Sequence, residues 1–494
     1  MEKPPVIPKK YLLPFILVTV LFALWGFANN FTDPLVKVFK DVFAISNLQS
    51  SWVQMAFYGG YATMAIPAAI FIRKYSYKAG IIVGLILFAT GAMLSIPAAN
   101  TVNFTLFIAA IYILTFGLAF LETTANPYIL SMGDEATATQ RLNLAQAFNP
   151  IGALSGALIC TTVVLSNIQV ADFKNDVTGF KQELAIEKTE AKELNVLPFL
   201  KAEERPRKND GNTKAYVMEM TSEKTTVDDA LVDFREGKIE SYQGSTFSEI
   251  QKHDLNLVSK TYMTLGMVVL GVLVIFLIAK LPKTVESGDL KDQDLHIKDT
   301  LKRLVTNPRY IWGVVAQMFY VGAQIMVWTF IFHYAEKELG MDNATAGKHQ
   351  LASLVLFLTF RFLCTYFLRF VSPGKLLTTL AVAGIACTLG AIYLEGMSGL
   401  YALMLVSACM SLMFPTIYGM ALEGVGQDAK LGSAGLILAI VGAVWLTGFQ
   451  AKILDLDSFM GTSSVRGSFY LTVVCFAIIA AYGFMSRRPR AVSE

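Results

Sequence analysis

Long apolar runs alternate with short polar links along almost the whole chain. They fall at 11–33, 50–71, 79–98, 104–130 and 143–166, then at 257–280, 309–335, 350–370, 374–394, 399–421, 431–450 and 468–486. Each is near or above the roughly 20 residues that a helix rising about 1.5 Å per residue needs to cross hydrocarbon about 30 Å thick. Pro and Gly punctuate many of the links. The pattern predicts an all-α membrane protein with twelve transmembrane helices, six on each side of a polar link at 281–308. An equal split predicts two duplicated six-helix bundles related about the membrane normal, although the repeat is too faint to demonstrate from the residues themselves. The expected organisation is helices 1–5 in 1–166, an insertion at 167–256, helix 6 in 257–280, a linker at 281–308, and helices 7–12 with a tail in 309–494.

Basic residues set the orientation. With the N-terminus inside, the inner side receives Lys9, Lys10, Arg73, Lys74, Lys78, Arg141, the cluster from Lys280 to Arg309, Arg369, Lys375, Lys430 and the Arg487, Arg488 and Arg490 tail. The opposite short loops hold little beyond Lys37, Lys40, Lys337, Lys348, Lys452 and Arg466. Both termini are therefore expected in the cytoplasm, as an even number of spans also requires.

Composition agrees: of 494 residues, 54% are hydrophobic and 16% charged, and the mean hydropathy is +0.50. The basic front of the first segment lacks a cleavage signature, so that segment is expected to remain as a span in the lipid bilayer. Cys160, Cys364, Cys387, Cys409 and Cys475 all fall in apolar spans without ligand spacing, which reads as buried apolar packing rather than a metal site or disulfide framework. His253, His296, His333 and His349 form no cluster with a nucleophile or metal ligands. Enzyme chemistry, a cofactor and nucleic-acid binding find no support, and a net charge of +3 says little about partners. The polar interval at 167–256 is expected on the outer face, as a folded cap or a mobile insertion, with a surface helix near Lys181 to Leu194 and a strand and helix near Ala215 to Met220 and Thr225 to Phe234.

Polar residues inside the spans carry the chemistry. The first span brings Asn29, Asn30 and Asp33 toward its far end, where lipid cannot host them; a cap at headgroup level is the alternative for Asp33. In the fourth span Glu122 lies about 18 Å from the cytoplasmic end, near the midplane. A carboxylate there marks an ion, proton or substrate path, with a static contact, for instance to Arg361 in the eighth span, as the structural alternative. Asn126 follows on the same face, and Pro127 can loosen the helix. In the fifth span Gln146 and Asn149 share a face, while Gly152 and Gly156 permit close helix approach. The seventh span adds Gln317, Tyr320, Gln324 and Trp328 at helical spacing. Aromatic plates beside amides suit a sugar, whose ring has apolar C–H faces and whose hydroxyls each need a partner; plain packing is the alternative for Tyr320 and Trp328.

The stretches Trp25-Gly26-Phe27-Ala28-Asn29-Asn30-Phe31-Thr32-Asp33, Ser76-Tyr77-Lys78-Ala79-Gly80, Leu121-Glu122-Thr123-Thr124-Ala125-Asn126-Pro127, Arg141-Leu142-Asn143-Leu144-Ala145-Gln146-Ala147-Phe148-Asn149 and Val321-Gly322-Ala323-Gln324 resemble the fucose, glucose and galactose:proton symporters of the major facilitator superfamily, and among them the bacterial L-fucose branch. The resemblance covers both halves outside 167–256. It implies a central sugar site, alternating access, a bacterial inner membrane and a monomeric carrier, with Asp33 and Glu122 as essential carboxylates and Gln146 and Asn149 as sugar contacts. The loop Ile72-Arg73-Lys74-Tyr75-Ser76-Tyr77-Lys78 lacks the acid usual in the superfamily, which puts an interdomain latch built on it in doubt.

The expected activity is proton-coupled uptake of a monosaccharide, L-fucose first, with Asp33 and Glu122 coupling protons and Asn29, Asn30, Glu122, Asn126, Gln146, Asn149, Tyr320, Gln324 and Trp328 binding sugar. Burial favours the protonated form of a carboxylate, so a proton can be held in a closed site and released in a wet one. The alternatives are glucose, galactose or an amino sugar as substrate, sodium as coupling ion and, in another class, a receptor or scaffold using the outer insertion.

Overall fold

A computed structural model describes residues 4–32, 34–179, 226–282, 297–341 and 343–487. Among them, twelve helical stretches are long and apolar enough to cross a membrane: Lys9–Val42, Trp52–Lys74, Tyr77–Asn100, Phe104–Leu130, Glu135–Asn167, Phe247–Ile278, Pro308–Leu339, Thr345–Phe367, Pro373–Tyr393, Met397–Ala421, Gly426–Leu454 and Ser464–Met485. Each overlaps one of the apolar runs. The sixth helix begins at Phe247 rather than near 257, because Thr246 and Glu249 form a reciprocal capping box at its start.

Chain breaks distinguish some spans from plain rods. The first consists of Leu12–Thr32 and, after Pro34, the short helix Leu35–Val42; Asp33 lies outside the described residues. The fourth runs unbroken from Phe104 to Leu130, so Pro127 does not open the helix. The fifth is Ala138–Gln146 followed by Asn149–Ile159 and a π-turn at Cys160–Val164, and the tenth is Met397–Met410 followed by Met413–Ala421.

Duplication, invisible in the residues, is plain in the packing. In the first half span one packs on five, two on four, three on four, and three on six. In the second half seven packs on eleven, eight on ten, nine on ten, and nine on twelve, which is the same set shifted by six. Spans one and five touch backbone to backbone. A Cβ added at Gly152 would lie 1.8 Å from the Ala23 carbonyl oxygen, one at Gly26 2.0 Å from that of Asn149, and one at Gly156 2.4 Å from that of Phe27. Small residues thus allow the close approach expected of the fifth span.

The two halves are packed together on the face that carries the chain ends, called the terminal face below. Ala429–Leu438 of span eleven packs on spans two and four, and Met413–Ala421 of span ten packs on Ala138–Gln146 of span five. Hydrogen bonds seal the contact: Asn143 Nδ2 to Thr416 Oγ1 (3.0 Å), Ser433 Oγ to the Thr123 carbonyl (3.2 Å) and the Gly424 amide to Glu135 Oε1 (2.7 Å). The loop without its acid is latched by another route. Arg73 donates to Thr300 Oγ1 (2.6 Å), the Thr300 hydroxyl donates to Asp428 Oδ1 (3.1 Å), and Arg303 forks both Asp428 oxygens at 2.7 and 2.8 Å. Asp428, at the start of span eleven, supplies the missing charge through the linker helix Ile297–Thr306.

On the opposite face the described part of the insertion forms a small folded cap. The expected helix near Thr225 to Phe234 is Val227–Arg235; the expected helix at 181–194 and strand at 215–220 lie outside the described residues. Phe173, Phe234, Tyr242 and Phe247 stack into its core at centroid distances of 4.9 to 5.4 Å. Lys174 bonds Asp41 (2.7 Å) and Asp228 (2.8 Å), Lys40 bonds Asp228 (2.9 Å), and Arg235 donates to the Ala44 carbonyl (3.0 Å). The cap is therefore docked on Leu35–Val42, the outer end of the first span. Burial works against the Lys174 charge, yet its bonds to Asp228 and Asp41 win and hold it above the usual lysine value. Hydrogen bonds from Lys174 and Lys40 hold the Asp228 carboxyl below the usual aspartate value.

Candidate functional site

A cavity of about 110 Å³ lies between the halves, walled by spans one, five, seven, eight and ten. Seven residues singled out in the sequence line it: Asn29 and Asn30 from span one, Gln146 and Asn149 from span five, and Tyr320, Gln324 and Trp328 from span seven. The break in span five explains how its two amides reach the cavity. Gln146 ends one helix and Asn149 begins the next, so they converge across a turn rather than along one continuous helical face.

Several of these side chains are fixed by a neighbour. Asn149 Nδ2 donates to the Phe22 carbonyl (3.2 Å) and Asn30 Nδ2 to that of Gly26 (3.3 Å), which tie both amides to span one. Trp328 Nε1 donates to Ser407 Oγ (3.2 Å), and its ring meets Phe357 edge to face at 5.1 Å. Tyr320 packs against Phe414 at 6.0 Å. The buried Asn29 Oδ1 has no hydrogen-bond partner among the described residues, so an acceptor is left for a ligand hydroxyl.

Glu122 and Asn126 do not line the cavity; they form the layer behind it. Gln146 Nε2 donates to Asn126 Oδ1 (2.7 Å), and Asn126 Nδ2 donates to the main-chain carbonyl of Glu122 (3.0 Å). Glu122 is 3% exposed, and among the described residues neither carboxylate oxygen has a hydrogen-bond partner. Tyr418 of span ten lies within electrostatic reach of it. An ionised carboxylate so enclosed costs on the order of several kcal/mol, whereas a protonated one is neutral and offers an O–H. The contact to Arg361 considered from the sequence is not made. The guanidinium instead donates from Nε to the Ser411 carbonyl and from Nη1 to the Gln146 carbonyl (3.1 Å), over the Phe357 ring at 4.9 Å. Gln317, part of the span-seven stripe, is fully buried away from the cavity wall, with both amide atoms unpartnered among the described residues.

Sequence reasoning passed over Trp25, Leu354, Phe357, Arg361 and Phe414 as wall residues. Trp25 carried a usable signal, since it precedes Asn29 by one helical turn; its indole N–H donates to the Tyr61 hydroxyl, which sets the ring angle. Phe357 sits in a phenylalanine-rich run and Phe414 among apolar residues of the tenth span, and neither carried such a signal.

A sequence model of the Major Facilitator Superfamily matches residues 16–170. The L-fucose-proton symporter of Haemophilus influenzae is 41% identical over 481 residues, covering 97% of each chain. That of Escherichia coli K12 is 31% identical over 473 residues, covering 95% of this chain and 92% of the relative. The crystal structure of the transporter FucP in the outward conformation superposes with a TM-score of 0.76 at 30% identity, covering 97% of this chain and all of the other. On this likeness, which spans both bundles, the chain belongs to the fucose, glucose and galactose:proton symporters of the major facilitator superfamily.

Proposed function

We propose that this protein takes up a monosaccharide, L-fucose first, together with protons by alternating access, in a bacterial inner membrane with both chain ends in the cytoplasm. The observation that carries the reading is the cavity itself: amides from the first half face aromatic rings from the second, and one hydrogen-bonded side chain behind the wall leads to the main chain of Glu122, whose buried carboxyl has no partner among the described residues. Gln146 belongs to both layers. A sugar hydroxyl that bonds its amide pulls on Asn126 and, through it, on the helix turn that bears Glu122. Sugar occupancy and the protonation of Glu122 are thereby linked. The neutral carboxylic acid suits the closed interface; when the terminal face opens, water stabilises the carboxylate and the proton leaves. Asp33 is assigned the partner role in proton coupling that the family likeness gives it. Rocking of the two halves exposes the cavity to each side in turn, driven by a membrane potential worth about 2.3 kcal/mol per charge per 100 mV.

The test is uptake by right-side-out vesicles under an imposed proton gradient. Labelled L-fucose should accumulate while the outside medium turns alkaline as sugar enters. Strict dependence on sodium at fixed pH, with no alkalinisation, would refute proton coupling; failure of every hexose to accumulate would refute the substrate class.

A further inference from the structure

Among the described residues Arg361 has no carboxylate partner in its hydrogen bonds, although it is 3% exposed and sits where the halves meet. Its two acceptors have something in common. Gln146 is the last residue of Ala138–Gln146, and Ser411 follows the last residue of Met397–Met410. Helix ends leave main-chain carbonyls without intrahelical partners. One guanidinium therefore satisfies a carbonyl freed by the break in span five, in the first half, and another freed by the break in span ten, in the second. Its rigid fork suits such bridging better than the point charge of a lysine. The Phe357 face covers it.

We propose that Arg361 is a positioning residue that clips the two broken helices together and holds the terminal face closed. This rests on the transport reading for its purpose but on the geometry alone for its existence. Gln146 and Ser411 are on opposite halves, so any rocking that opens the terminal face draws their carbonyls apart and the fork must release one. Closure at this level then depends on Arg361, and the sealing contacts nearer the terminal face, such as Ser433 to Thr123, follow it. Because the clip uses the main chain of Gln146, the Gln146 amide stays free to bind in the cavity and to bond Asn126.

Ser433 is fully buried in the seam and serves as the reporter. A Ser433→Cys protein is purified and alkylated with a small maleimide in the absence of sugar, and labelling of the native cysteines is subtracted using the parent. Adding Arg361→Met should speed alkylation about tenfold, as loss of one charged hydrogen bond shifts a two-state equilibrium, and Arg361→Lys should fall between. Counterflow of labelled sugar should drop through its maximal rate. Unchanged alkylation in folded Arg361→Met overturns the proposal, as does weakened sugar binding with unchanged alkylation, which would make Arg361 a sugar contact only. If neither variant folds, Arg361 holds the fold and the proposal also falls. Alkylation is read without sugar, so a parent that fails to transport L-fucose refutes the substrate assignment and leaves the clip decided separately.

Discussion

The two halves share one set of helix pairings but contribute differently weighted chemistry to the cavity. The first supplies four amides and Trp25, backed by a hydrogen-bonded layer ending at Glu122; the second supplies Tyr320, Trp328, Phe357 and Phe414 with one amide, Gln324, and one buried cation. The same architecture thus serves two tasks. In the proposed reading most directional bonds and the coupling carboxyl belong to the first half, while most ring faces and the Arg361 clip belong to the second. Substitutions on the two sides should therefore fail differently.

The largest contrast is expected at Glu122. Glu122→Gln keeps the side-chain size and one acceptor but cannot release a proton, so gradient-driven accumulation should be lost. Exchange of labelled for unlabelled sugar should persist, since it needs only the loaded carrier to alternate. Both are measured in one proteoliposome preparation; full accumulation by the variant would remove Glu122 from coupling. Next come the amides. Gln146→Ala and Asn149→Ala should each weaken sugar binding by about 1–3 kcal/mol, read by calorimetry. In Gln146→Ala the main-chain carbonyl that Arg361 holds remains, so affinity should fall without faster alkylation of a Ser433→Cys reporter. A joint change in both would show that the two roles of Gln146 are not separable. On the second half, Trp328→Phe keeps a ring face and loses only the bond to Ser407, and should cost about 0.5–1.5 kcal/mol of affinity. A loss as large as that of Gln146→Ala would break the division between bonds on one side and faces on the other.

The smallest effect belongs to the outer cap. Asp228 is half exposed, so Asp228→Asn should lower stability by no more than about 1 kcal/mol and leave sugar affinity unchanged. The pH dependence has a definite sign. The Asp228 value is depressed in the fold, so its contribution is present above the ordinary aspartate value of 3.8 and fades as pH falls through the lower folded value. Lys174 is shifted upward, and its contribution fades only as pH rises past 10.5 and through its folded value. Hydrogen exchange in Val227–Arg235 should therefore be insensitive to pH-driven undocking between those limits and accelerate below them in the parent, with Asp228→Asn already loosened at neutral pH.

The spans were legible because apolar length is a direct requirement of hydrocarbon thickness, and the wall amides because the spacings of Asn29, Gln146 and Gln324 set them among apolar neighbours. The helix breaks were only partly so. Pro150 and Pro415 lack the N–H that would donate to the carbonyls four residues earlier, those of Gln146 and Ser411, so the two orphaned carbonyls can be read from the residues. That one arginine takes both depends on how three spans come together, which is why Arg361 suggested a carboxylate partner and has main-chain ones instead. Glu122 and Asn126 were recognised as buried polar residues, but their place behind Gln146 rather than beside the cavity depends on how span four is rotated, which spacing within a single helix does not determine.

The contact between spans one and five has a consequence for how substrate preference can change. With backbone against backbone at Gly26, Gly152 and Gly156, there is no layer of side chains to compress or repack. Asn29, Asn30 and Asn149 therefore sit on what is mechanically one body, and their mutual distances are a fixed gauge on the cavity wall. Selection cannot retune that gauge by small steps, because even one added methyl would push the helices apart. Adaptation to a differently shaped hexose is channelled to the opposing wall, where trimming or enlarging an aromatic ring alters the fit while the gauge stays as it is.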